Sequence, residues 1–130
     1  MTTVSATKDN FNELVEKNGI VMVDFWASWC QPCVRFAPVF DAASEKHKDV
    51  VFAKVNTEEQ EELAGAFGIR SIPTLMVFRD EVLIFEQAGA LPAAALDDLL
   101  EQIKKLDMAD VKKKIAEESA KLEAAEKANG

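Results

Sequence analysis

The two cysteines of this 130-residue chain sit three positions apart in Phe25-Trp26-Ala27-Ser28-Trp29-Cys30-Gln31-Pro32-Cys33. Two thiols at that spacing can meet where a helix begins, because positions i and i+3 share a side. A helix start also offers unpaired N–H groups and a partial positive charge, and both favour thiolate over thiol. The chemistry within reach is thiol–disulfide exchange. The first thiolate attacks a disulfide on another molecule, and the second attacks the mixed disulfide and releases the reduced product. Cys30, at the cap, is expected to be the more exposed and more acidic thiol, and Cys33, one turn in, the more buried. Pro32 between them lacks an N–H and stiffens the loop.

Rival chemistries fail on arithmetic. A structural zinc site wants four ligands, and the chain has two cysteines and one histidine, His47. On a continuous helix His47 would lie roughly 25 Å from Cys30, which also weakens a Cys–His hydrolase. His47 is therefore expected to be an exposed residue near a helix end.

Asp24 interrupts Val21-Met22-Val23 and Phe25-Trp26 in a segment that otherwise reads as fully buried. It is either turned to solvent on a half-exposed strand, or a buried carboxylate of raised pKa that can take a proton from Cys33. Lys54, in Ala53-Lys54-Val55, is either its partner on the neighbouring strand or an ordinary snorkelling lysine. Pro73, in Ser71-Ile72-Pro73-Thr74, is either loop punctuation before a strand or a cis proline set against the disulfide.

These residues need elements to hold them. Thr3 to Ala6 reads as a short opening strand, followed by a helix capped by Thr7, with Phe11, Leu14 and Val15 on one face and Asn18-Gly19 at its end. Ile20 to Trp26 is apolar on both parities, as in a strand covered on both faces. A helix then runs from about Cys33 to Lys46, with Pro38 inside it. Val50 to Val55 is a second buried strand, Glu58 to Phe67 a helix closed by Gly68, and Thr74 to Phe78 with Val82 to Phe85 a hairpin turning at Asp80-Glu81. Pro92 opens a helix with Leu96, Leu99, Leu100, Ile103 and Leu106 on its apolar face. The order β-α-β-α-β-α-β-β-α predicts an α/β fold, a mixed central sheet with helices on both faces.

Composition changes near Asp107, so the chain divides into a domain over 1–106 and a Lys-, Glu- and Ala-rich extension over 107–130. Asp107 caps a further helix with Met108, Val111, Ile115 and Leu122 on a thin stripe. That helix either lies solvated beside the domain or pairs as a coiled coil. Hydrophobic residues are 48% of the chain, enough for one continuous core at this length. A net charge of −8 argues against nucleic acid as a partner. No apolar run approaches the roughly 20 residues that span a bilayer, and Met1 to Asn10 shows no secretory signal, so a cytoplasmic location is expected.

The motifs together resemble the thioredoxins. Val23-Asp24-Phe25-Trp26-Ala27, Trp29-Cys30-Gln31-Pro32-Cys33, Ala37-Pro38, Ala53-Lys54-Val55-Asn56, Gly68-Ile69-Arg70-Ser71-Ile72-Pro73-Thr74 and Gly89-Ala90 occur in that family's order and spacing, over about Val4 to Leu106. The resemblance implies a thioredoxin fold and a cytosolic protein-disulfide reductase. It implies Cys30 as nucleophile, Cys33 as resolving thiol, Asp24 as buried acid/base with Lys54 beside it, and Pro73 as a cis proline. Trp29, Ile72, Gly89 and Ala90 would form the apolar rim that receives an extended client. The implied partners are disulfide-containing proteins and an NADPH-dependent thioredoxin reductase, with a monomer expected and no cofactor beyond the cysteine pair. Gln31 departs from the usual Gly between the cysteines, which bears on the reduction potential. The oxidase or isomerase alternative is disfavoured by Pro32, since family members poised as oxidants tend to carry His there. An interaction module using the C-terminal helix is the alternative from another class.

Overall fold

A five-stranded mixed sheet in the order β1-β3-β2-β4-β5 forms the centre of the molecule. The computed structural model describes residues 2–129, with side chains through residue 127. Its strands are β1 (Thr3–Ser5), β2 (Ile20–Trp26), β3 (Val51–Asn56), β4 (Thr74–Arg79) and β5 (Val82–Ala88), and its helices α1 (Phe11–Lys17), α2 (Gln31–Lys46), α3 (Glu61–Ala66), α4 (Ala93–Lys104) and α5 (Met108–Asn129). The element order is the one the sequence predicts. β3 pairs in parallel with β1 and β2, and β4 runs antiparallel to β2 and β5.

The side-chain alternation of β2 divides the core. Ile20 and Met22 join Phe52, Leu75 and Val77 under Phe36 and Phe40 of α2 and Leu96, Leu100 and Ile103 of α4. Val21, Val23 and Phe25 face the other way, against Phe11 and Val15 of α1 and Leu63 of α3. Both parities of β2 are apolar because both faces are covered. Asp24 shares its parity with Met22, and so lies on the α2 face.

Several local details differ from expectation. α1 is capped by Asn10, not Thr7. The Asn10 Oδ1 accepts from the Thr7 N–H at 2.7 Å, so the two residues close a turn ahead of the helix. At the other end Asn18 is extended, and its side-chain amide donates to the Leu14 carbonyl at 2.8 Å, so α1 stops without a left-handed glycine. α3 begins at Glu61 rather than Glu58. The Asn56 Oδ1 accepts from the N–H groups of Glu58 (2.9 Å) and Glu59 (3.4 Å), a local turn that competes with helix. The β4–β5 turn places Asp80 and Glu81 at φ 51° and 71° without a glycine. Both central residues of a two-residue hairpin loop of this hand need positive φ.

His47 is not exposed: only 5% of it is accessible. It caps the C-terminus of α2, and its Nε2 lies 2.8 Å from Asp97 Oδ1 of α4, fifty residues away. Lys104 Nζ lies 3.1 Å from the other ring nitrogen. The helix end is buried because α4 packs over it, a long-range contact that periodicity does not encode. Lys46 and His47 hold the Asp97 carboxyl below the usual carboxylate range. At the end of β4, Arg79 donates to the carbonyls of Ile103 (2.5 Å) and Leu106 (2.9 Å), satisfying acceptors that the end of α4 leaves open.

α5 follows at once. Asp107 Oδ1 accepts from the Asp110 N–H at 3.2 Å, the predicted cap. Met108 is buried, but Ile115 and Leu122 are exposed, Leu122 to 63%.

Candidate redox site

The strand-to-helix junction after β2 builds the site. Cys30 is the N-cap residue of α2, with extended backbone, and the Cys33 N–H donates to the Cys30 Sγ at 3.2 Å. An N-cap side chain normally accepts this bond through oxygen; here the acceptor is sulfur. Pro32 stands in the first turn, where its missing N–H costs nothing. Cys30 and Cys33 are disulfide-bonded, with Cα atoms 5.2 Å apart.

The two sulfur residues are about equally covered, Cys30 at 4% exposure and Cys33 at 3%. The expected contrast between them is absent in this disulfide form. The reason is a second loop: the Ile72 carbonyl oxygen lies 3.7 Å from Cys30 Sγ, and Ile72 packs on the cysteine cluster with Trp26 and Ala27. The Ile72–Pro73 peptide bond is cis. The Gly89 N–H donates to the Pro73 carbonyl at 2.7 Å, tying the end of β5 to the same loop. Gly89 has φ +102°, a conformation L side chains rarely adopt. Trp29 stands 66% exposed beside the disulfide. It shares a groove with Ile72, Ile69 and Arg70, while Ala90 lines a second groove that starts at Pro32.

Asp24 is 1% exposed, and neither of its carboxyl oxygens has a hydrogen-bond partner among the described residues. It is therefore the buried carboxylate, not the solvent-facing one. Its pKa is pushed up to about 7, chiefly by burial; Lys54 opposes the rise and Asp41 of α2 adds to it. Lys54 is the register partner of Asp24 across β2 and β3. Its ammonium sits 5.1 Å from the centre of the Trp26 ring instead of pairing directly with the carboxylate. A carboxyl half ionised near neutrality, on the face of the sheet beneath α2, can both take and return a proton.

The thioredoxin family model matches residues 2–105 of this chain. The chain belongs to the thioredoxin family. A putative thioredoxin 2 of Streptomyces coelicolor is 55% identical over 119 residues, covering 92% of this chain and 89% of that protein. Thioredoxin 1 of Synechococcus elongatus is 44% identical over 91 residues, 69% and 85% of the two chains. Among solved structures, a mutant thioredoxin from Halobacterium salinarum aligns with a TM-score of 0.74 at 33% identity, covering 80% of this chain and 91% of that one. Thioredoxins are thiol–disulfide oxidoreductases that work through a C-x-x-C pair and need no cofactor besides it, and this thioredoxin carries that pair as Cys30 and Cys33. No helix among the described residues is long and apolar enough to cross a membrane.

Two residues near the site were not singled out from the sequence. Asp41 acts on Asp24 through space, and only its helical distance from Cys33 hinted at that face. Arg35, two residues past Cys33, lines the Pro32 and Ala90 groove. Its signal was a lone cation in an otherwise apolar opening of α2.

Proposed function

We propose that this thioredoxin acts as a protein-disulfide reductase with Cys30 as the attacking thiolate. The observation that carries this is the Cys33 N–H aimed at the Cys30 sulfur from the first turn of α2. Cys30 attacks one sulfur of a client disulfide. A Cys30–client bond forms, the client bond breaks, and the departing client sulfur takes a proton. Cys33 then gives its proton to Asp24 and attacks Cys30 Sγ. The intrachain disulfide forms and the second client thiolate leaves. Two electrons have moved from the dithiol to the client. Lys54 moderates the affinity of Asp24 for its proton. Trp29, Ile72, Pro73, Gly89 and Ala90 receive the client segment, and Pro32 keeps the loop stiff.

An NADPH-dependent thioredoxin reductase returns the dithiol form, and the clients are disulfide-containing proteins of the cytoplasm. Residues 1–106 serve as the exchange domain and 107–130 as a helical extension, of which Gly130 lies outside the described residues. The match of the family model over 2–105 supports that division.

The reductase direction is tested by equilibrating the protein with glutathione buffers and measuring the dithiol fraction. The expected potential is more negative than about −240 mV, within or below the range of the cytosolic glutathione poise. A value above about −200 mV would assign the protein to the oxidases or isomerases.

A further inference from the structure

Most basic side chains of the exchange domain are already engaged. Lys8, Lys17, Lys46, Lys48 and Lys104 each reach a carboxylate. Lys54 sits over Trp26, and Arg79 donates to backbone carbonyls. Arg35 is exposed on α2 and makes no hydrogen bond or ion pair with another described residue. It borders a groove walled by Phe36 and Val39 on one side and Leu91 and Pro92 on the other. No other charged residue lines it. The groove opens at Pro32, inside the C-x-x-C loop, and at Ala90 of the rim, so it continues the exchange site. The groove on the opposite flank, beside Trp29, is bordered by both signs of charge: Glu61, and Arg70, which likewise makes no ion pair with a described residue.

We propose that the Arg35 groove is a specificity subsite for clients, and this rests on the exchange reading above. It seats the client segment next to the attacked disulfide, with an apolar side chain between Val39 and Leu91 and a carboxylate on Arg35. The occupant is an extended, acidic and apolar stretch of a disulfide-containing protein. Two observations select it. The groove is continuous with the place where the client cysteine must sit, and its one charge is an unengaged guanidinium, which favours a carboxylate. The chain as a whole carries −8, so acidic clients are not drawn by net charge and the preference must be local. Arg35 is five helical residues from Cys30, about 7.5 Å along the axis. At about 3.3 Å per extended residue, the client carboxylate belongs two or three residues from the attacked cysteine.

The test uses the full-length reduced protein and synthetic peptides closed by one disulfide. The peptides carry Leu followed by Glu, Gln or Lys, placed two or three residues from either cysteine. At low ionic strength the Glu peptide is expected to be reduced with about fivefold higher kcat/KM than the Gln peptide, the upper end for an exposed ion pair, and the Lys peptide more slowly than either. Arg35→Ala erases the ranking and Arg35→Glu reverses it, while bis(2-hydroxyethyl) disulfide is reduced equally by all three proteins. About 1 M salt, where the Debye length is about 3 Å, also removes the preference. A ranking that survives Arg35→Ala, one that vanishes instead in Arg70→Ala, or no ranking in the parent protein overturns the subsite. Failure of the parent protein to reduce bis(2-hydroxyethyl) disulfide overturns the exchange reading itself.

Discussion

Cys30→Ser is expected to bring insulin reduction down to the background rate of dithiothreitol alone, whereas Cys33→Ser is expected to stop the cycle half-way. The difference follows from position. The Cys30 sulfur is the atom that accepts the Cys33 N–H, so it is the one whose negative charge the start of α2 stabilises. A serine hydroxyl at that place stays protonated and forms no mixed disulfide. With Cys30 intact and Cys33 replaced, the first attack proceeds and nothing resolves the product. The protein then accumulates as a covalent adduct with its client, visible as a mass increase that dithiothreitol removes. Full turnover by Cys30→Ser, or adducts formed equally well through Cys33 in that variant, would reverse the assignment of the two sulfurs.

Asp24→Asn is expected to make the oxidised protein more stable and the resolving step slower. Burial raises the Asp24 pKa from 3.8 to about 7. In the unfolded chain Asp24 ionises near its ordinary value, so between about 4 and 7 the folded state holds a proton that the unfolded state has lost. Stability therefore falls as pH rises through that window, and the full penalty is present above pH 7. At 1.36 kcal/mol per pKa unit the penalty is on the order of 4 kcal/mol. Urea unfolding at pH 8.5 should show Asp24→Asn more stable by a large part of this amount, with the two proteins converging below pH 4. The kinetic effect has the opposite sign for function. Without the carboxylate, Cys33 has lost its proton acceptor, and decay of the mixed disulfide should slow by about tenfold or more near neutral pH. Asp24→Asn no more stable than the parent at pH 8.5 would show that the carboxyl is solvated, and unchanged resolution would remove it from the mechanism.

The parts of this molecule that local patterning controls were legible from its residues. β2 reads as doubly covered because both of its parities are apolar, and its two faces meet two separate clusters. The helix start at the cysteines was legible because Pro32 follows a strand and precedes an amphipathic run. Asp24 stood out as a polar residue where neither face of the strand offers solvent. What stayed hidden depends on residues far apart in sequence. His47 is buried by α4, whose Asp97 lies 50 positions away. Cys30 is covered by Ile72, 42 positions away, so its place at a helix cap does not expose it. Lys54 matches Asp24 in register but turns to Trp26, a choice between two neighbours that strand pairing leaves open. The Arg35 groove needs α2 and the chain after β5 brought side by side, and no short motif encodes that.

All of these roles depend on one ionised sulfur at the start of α2. Titrating the reduced protein while following thiolate absorbance in the ultraviolet measures that directly. One thiol is expected to ionise clearly below the value of about 8.5 for free cysteine, near the value of about 7 known generally for C-x-x-C thioredoxins, and that step is expected to be absent in Cys30→Ser. Two thiols that both stay protonated until about 8.5, or an early step that persists in Cys30→Ser, would contradict it.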